Sequence, residues 1–366
     1  MVRIDEIYTN TFRTWLDRNR PGTRLFYCDP FGRSDADSVI SYGDNSEKYY
    51  NYTFFFDQEP IDLVRHFATF QRVRLHSEDI EMNCPNPGYL ITSEQNSATV
   101  DHVCEHYGWT RLYYFFHGWA ALDWYRGYDR TFLMPEPKDR KITRTFIMPN
   151  RIIAGDRRHR LVMLYHIFKY GMLDNWISCP DVCPAENITI AEAVKPLIES
   201  HPDIEQVFAQ QQFPISFPGE TNSPMHSCWL SLFDESASSL LYLVTETVAT
   251  GQRLHLTEKT FKPICLRMPF IIVGTQGSLR YLRSYGFKTF GDLWDESYDD
   301  EINDDQRIEK IAFILKSMDI LPAHEKQRLF DMAQEICEYN YNHFYSGGFE
   351  KILWRELTEM LNGIAV

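Results

Sequence analysis

Apolar positions in the first third of the chain fall into short aromatic or β-branched runs: RLFYCDPFG (24–32), NYTFFFDQEP (51–60), GYLITSEQNS (88–97) and RLYYFFHGW (111–119). Each ends on Asp, Glu, His or Gly, the pattern of a buried strand followed by a polar turn. Between them, IDLVRHFATFQRV (61–73) and NSATVDHVCEHYG (96–108) read as helices. The alternation predicts an α/β domain. MPEPKDRK (134–141), with two prolines and mixed charge, breaks the pattern and reads as a linker.

The alternation then restarts. ITRTFIMPNR (142–151) predicts a strand and DRRHRLVMLYHIFKYGML (156–173) a helix, and IEQVFAQ, CWLSLF, LLYLVTET and PFIIVGT are further strand candidates. Residues 305–340 predict charged surface helices. The expected organisation is two Rossmann-like domains, 1–138 and 139–345, with a C-terminal helix, 346–366, packing back on the first. LHLTEK (254–259) would be a strand delivering Thr257, Glu258 and Lys259 to the mouth of an interdomain cleft.

Composition narrows the class. A hydrophobic content of 44% supports packed cores, and no run reaches the roughly 18 apolar residues of a membrane span. MVRIDEIYTNTFRTWLDRNR lacks the apolar stretch of a signal peptide, and the eight cysteines are scattered. Both point to a soluble, cytoplasmic protein with reduced thiols. Cys179 and Cys183 have no second Cys/His pair at zinc spacing, and His102, Cys104 and His106 lack a metalloprotease glutamate, so no metal is expected. A formal charge of −14 argues against broad phosphate neutralisation on nucleic acid. NIT (187–189) matches a glycosylation acceptor, which has no meaning in the cytosol.

Against that acidity, RIIAGDRRHR (151–160) stands out. Arg151, Arg157, Arg158, His159 and Arg160 fall between a predicted strand and its helix, where backbone N–H groups attract anions and guanidiniums add donors for a diphosphate. A second constellation comprises Glu246, Arg253, Thr257, Glu258, Lys259 and Lys262. A carboxylate can hold ribose hydroxyls while Lys or Arg neutralises phosphate; equally, Thr257 can cap a helix beginning at Glu258. Asp29, Asp57, Glu59, Glu94 and His117 close the early strand-like runs, and a transferase base would come from among them, with Glu59, Glu94 and His117 favoured.

LSLFDESASSLLYLVTET and LHLTEKTFKPICLRMPFIIVG, within residues 229–274, resemble the donor-binding domain of the α-1,3-fucosyltransferases. RTFIMPNRIIAGDRRHRLVMLYHIFKYGMLDN is similar, more loosely, to the first strand and basic turn of that domain in phage-encoded relatives. The resemblance implies a GT-B fold, two Rossmann-like domains facing across a cleft. It implies an inverting, metal-independent hexosyl- or deoxyhexosyltransferase that needs no cofactor beyond its nucleotide-sugar co-substrate. Glu258 and Lys259 match the family's donor-contacting pair, and Arg157 or Arg160 would correspond to its diphosphate-binding arginine. Where those enzymes continue into a Gly-x-Val-Pro turn this chain has TFKPICLRMPFIIVG, so the resemblance leaves the sugar open. The expected acceptor is a glycan or small molecule. An alternative is a phage-type enzyme acting on hydroxymethylated DNA bases, with Arg111, Arg126, Arg130 and Lys138 as a basic rim. A different class is a non-catalytic nucleotide-binding or scaffolding protein.

Overall fold

The computed structural model of the chain describes residues 7–19, 23–28, 39–42, 51–56, 89–126, 134–184, 186–217 and 230–364. Two compact units result: Met1–Asp123 with Glu350–Val366, and Trp124–Phe349. Both are mixed α/β structures with parallel sheets. Asp29, Asp57, Glu59, Arg130 and the helix expected over 61–73 lie outside the described residues.

The first unit opens on a π-helical segment, Ile7–Phe12, that runs into α1 (Arg13–Asn19). Its sheet is built from β1 (Thr23–Cys28), β2 (Val39–Tyr42), β3 (Asn51–Phe56), β4 (Tyr89–Thr92) and β5 (Thr110–Tyr113), in the order β2-β1-β3-β4-β5. β1, β3, β4 and β5 are parallel, and β2 lies antiparallel on the edge. Among these strands the parallel ones follow one another across the sheet in chain order.

α2 (Ala98–Tyr107) starts where the Ser97 hydroxyl accepts from Val100 N–H at 3.3 Å, and stops at Gly108, whose φ of 67° suits a residue without a Cβ. α3 (Phe116–Tyr125) follows β5 directly, so His117 stands in the first turn of a helix and not at a strand end. The C-terminal helix α12 (Gly348–Ile364) joins this unit through Glu356, which accepts from Phe115 N–H at 2.9 Å. Trp354 meets Trp119 edge-on with centroids 4.7 Å apart.

The second unit holds β6 (Arg144–Met148), β7 (Trp176–Ile177), β10 (Ser239–Thr245) and β11 (Phe270–Val273), all parallel, plus a two-stranded ribbon of β8 (Val182–Cys183) and β9 (Ile188–Thr189). Every residue of β10 and β11 is buried, as helices on both sheet faces require. α4 (His159–Lys169) packs with α10 (Asp304–Asp319), which lies on β6 and β11. α8 (Glu258–Cys265) packs with α11 (Ala323–Tyr345), which lies on β10 and β6. The Pro-containing stretch 134–141 belongs to this unit. Arg140 donates to Pro135 O at 3.0 Å and Arg267 O at 3.3 Å, and Glu136 pairs with Arg267.

Three strand expectations are corrected. IEQVFAQ forms α6 (Ile204–Ala209), because Ile204 and Phe208, one helical turn apart, are the buried pair while Glu205 and Gln206 face water. In CWLSLF, residues 230–232 are irregular and Phe233 begins α7 (Phe233–Ala237), whose first turn carries Asp234 and Glu235, as the helix dipole favours. Before α8, the LHLTEK segment makes only an isolated bridge before Thr257 caps the helix. The described helices of both units include none long and apolar enough to cross a membrane.

Candidate functional site

In the second unit the sheet order is β11-β10-β6-β7. The chain therefore builds outward from β6 to β7, then returns past β6 to lay down β10 and β11. At such a reversal the loops leaving adjacent strand ends diverge and open a crevice, the usual ligand position of a parallel α/β sheet. The loops that leave here are 149–158 after β6 and 246–257 after β10. They carry the two constellations singled out above.

The register pairs Tyr242 with Ile147, which carried on in step sets Thr245 opposite Asn150. Thr245 Oγ1 donates to Asn150 Oδ1 at 2.8 Å. Glu246, the next residue, is fully buried, and its carboxylate accepts four hydrogen bonds. They come from Thr257 N–H (3.1 Å), Thr257 Oγ1 (2.5 Å), Thr260 Oγ1 (2.6 Å) and Thr247 N–H (3.3 Å). These fill the acceptor capacity of a carboxylate. Glu246 therefore holds the N-terminus of α8, where negative charge also suits the helix dipole, and its carboxylate has no capacity left for a ribose.

Its backbone carbonyl serves the other half of the site. His159 Nε2 donates to Glu246 O at 2.9 Å, and Arg160 Nη2 reaches the same atom at 3.2 Å and Thr245 O at 2.9 Å. Arg160 Nη1 donates to Ile152 O at 2.7 Å. Both side chains are buried in the first turn of α4. The first turns of two helices are thus fastened to one residue, and three of the Arg160 hydrogen bonds go to backbone carbonyls.

Lys259 is the cation that this framework presents. Its Nζ lies 3.0 Å from Glu258 Oε1 and 3.3 Å from the hydroxyls of Thr247 and Thr257, with the side chain 30% exposed. Thr257 caps α8 by accepting from Lys259 N–H at 3.4 Å, and Pro263, which has no N–H to continue the ladder, precedes the helix end by two residues. Phe261 anchors the inner face, stacked on Phe349 at 5.2 Å.

On the β6 side, Gly155 adopts φ +60° in a tight turn where an added Cβ would sit 2.9 Å from Glu186 Oε1. Arg151 and Arg157 are half-buried on this loop and Arg158 is exposed. Burial, and then the like charge of Arg157, hold the Arg151 guanidinium below the usual arginine range, with Cys183 opposing. Such a cationic pair is relieved by an anion. Arg253 and Lys262 are half-exposed, on the β10–α8 loop and on α8.

The other candidates belong to other elements. Glu94 and His117 belong to the first unit and are both buried, His117 edge-on against Phe116 at 5.2 Å. His102 and His106 stack along α2 with centroids 6.3 Å apart, and burial raises the Cys104 thiol to about 11. Arg111 pairs with Asp101 at 2.6 Å, while Arg126 and Lys138 are exposed. Among the described residues no group of three or more His, Cys, Asp or Glu side chains could hold a metal ion.

Sequence reasoning passed over Asn150, Thr245, Thr247 and Thr260. For the first three the signal is modest: polar residues at the C-terminal ends of two apolar runs, PN after FIM and TET after LLYLV; Thr260 sits one turn into the helix that Thr257 caps. No known protein family, curated protein or solved structure matches the chain.

Proposed function

We propose that the chain is an inverting glycosyltransferase of the GT-B type, moving a sugar from a nucleotide-diphosphate sugar to a hydroxyl of a glycan or small molecule. The observation that carries this reading is the gathering of both constellations at the strand-order reversal, where the first turns of α4 and α8 are tied to Glu246. Helix N-termini and cations stabilise the negative charge that grows on a leaving diphosphate, and here Arg151, Arg157 and Lys259 supply the cations. Glu258, beside Lys259, is the carboxylate for the ribose, while Glu246 positions the helix. The acceptor is deprotonated by Glu59, Glu94 or His117.

Calorimetric titration of UDP and GDP tests the donor site. Lys259→Ala should remove the binding shown by the wild-type chain, and unchanged affinity rejects the assignment. Hydrolysis of a panel of nucleotide sugars separates an enzyme from a nucleotide-binding scaffold, since a scaffold binds and never turns over.

A further inference from the structure

Asn150 stands at the reversal point with its backbone and half of its side chain already committed. Its N–H donates to Ser178 Oγ at 2.8 Å, its carbonyl accepts from the same hydroxyl at 3.3 Å, and Oδ1 accepts from Thr245. The side-chain nitrogen Nδ2 has no hydrogen-bond partner among the described residues, although Asn150 is only 3% exposed. A buried amide nitrogen without an acceptor is costly, and folded proteins keep few of them outside functional sites. Ser178, just past β7, fixes the backbone and Thr245, at the end of β10, fixes the side chain.

We infer that Asn150 is a specificity-determining residue for the phosphate part of the ligand, its Nδ2 donating to an oxygen of the diphosphate. The inference rests on the donor-site reading and adds to it a neutral donor that the sequence did not announce. Several observations select the ligand chemistry. The missing partner is an acceptor, and the same β6–α4 loop carries the cations Arg151 and Arg157. Thr245, which bonds Asn150, immediately precedes Glu246, to which two helix first turns are tied. An oxygen that reaches Nδ2 is withdrawn from water, a setting in which a single amide donor discriminates strongly.

The test is the double variant Asn150→Leu with Thr245→Val, which removes the amide together with its hydroxyl partner and leaves neither polar group stranded. Titrated with inorganic diphosphate, UDP and GDP, it should bind about tenfold or more weakly. Its melting temperature without ligand should hold or rise, because the unpartnered amide is gone. Unchanged affinity with a lowered melting temperature overturns the inference, since that is how a purely structural asparagine, or one satisfied by a buried water, behaves. If the double variant does not fold, Asn150→Asp keeps the acceptor for Thr245 and replaces the NH2 with oxygen; undiminished diphosphate affinity in that variant also overturns the inference. Lys259→Ala, run alongside, separates the two levels. Loss of binding there with none at Asn150 defeats only this inference, whereas a wild-type chain that binds none of the three probes defeats the donor site as well.

Discussion

The two sheets are made of similar strands laid down in the same order, and differ in the direction of the strand that flanks the first: β2 runs antiparallel to β1, whereas β7 runs parallel to β6. In the first unit β1, β3, β4 and β5 follow one another across the sheet, with antiparallel β2 on the edge. The chain thus returns past β1 to reach β3, as in the second unit it returns past β6 to reach β10. Both sheets therefore carry a reversal where neighbouring loops part company; the loops after β1 and β3 lie outside the described residues, and among the described ones the polar constellation gathers where β6 and β10 end. The polar residues that close the early strand-like runs carry no comparable constellation among the described residues. Strand order opens the crevice in both sheets, and the side chains at the strand ends decide what it can hold.

The largest expected effect breaks the hub of the second unit. Glu246→Ala strands the Thr257 and Thr260 hydroxyls and two backbone N–H groups, and should cost about 3–5 kcal/mol in denaturant unfolding. Glu246→Gln should recover part of that. A loss below about 1 kcal/mol would mean that the four-bond arrangement does not hold α8.

Next comes the far end of α4. His166 is buried with neither ring nitrogen hydrogen-bonded among the described residues. Burial, followed by the charges of His201 and Lys169 and opposed by Asp203, lowers it from 6.5 to about 4. Above pH 6.5 the imidazole is neutral folded or unfolded, and stability is full. As pH falls from 6.5 to about 4 the unfolded chain takes up the proton first, so stability drops, by about 3 kcal/mol. His166→Phe should flatten unfolding free energy against pH in that window; an unaltered slope would assign it to other groups.

Lys259→Ala should weaken nucleotide-diphosphate binding about a hundredfold, and Arg111→Ala, in the first unit, should leave it unchanged. Equal losses in the two variants would erase the contrast between the sheets as ligand sites. The smallest effect is local. Ser97→Ala removes the cap of α2 and should cost about 1 kcal/mol without touching ligand affinity.

Much of the architecture was legible. Runs such as LLYLVTET and PFIIVGT are continuous apolar stretches because their strands are buried on both faces, and such runs survive in a linear sequence. The basic cluster and the TEK motif were legible because charge beside apolar runs is conspicuous. α6 was misread because its two buried residues, Ile204 and Phe208, suit a single helical turn but mimic a short strand when read without their exposed neighbours. β7, β8 and β9 have two residues each, too few for any period to show.

By itself, the sequence determined which segments are apolar enough to become strands, where Thr257 can start a helix, and which cations flank those segments. These are local properties, set by side-chain chemistry and spacing. Only the tertiary structure decided that Glu246 supports α8 and that Arg160 faces carbonyls, and it alone left an amide hydrogen of Asn150 unpartnered. Hydrogen bonds such as Thr257 to Glu246 and Thr245 to Asn150 join residues 11 and 95 positions apart. Their partners are chosen by sheet order and register, which no stretch of the chain contains.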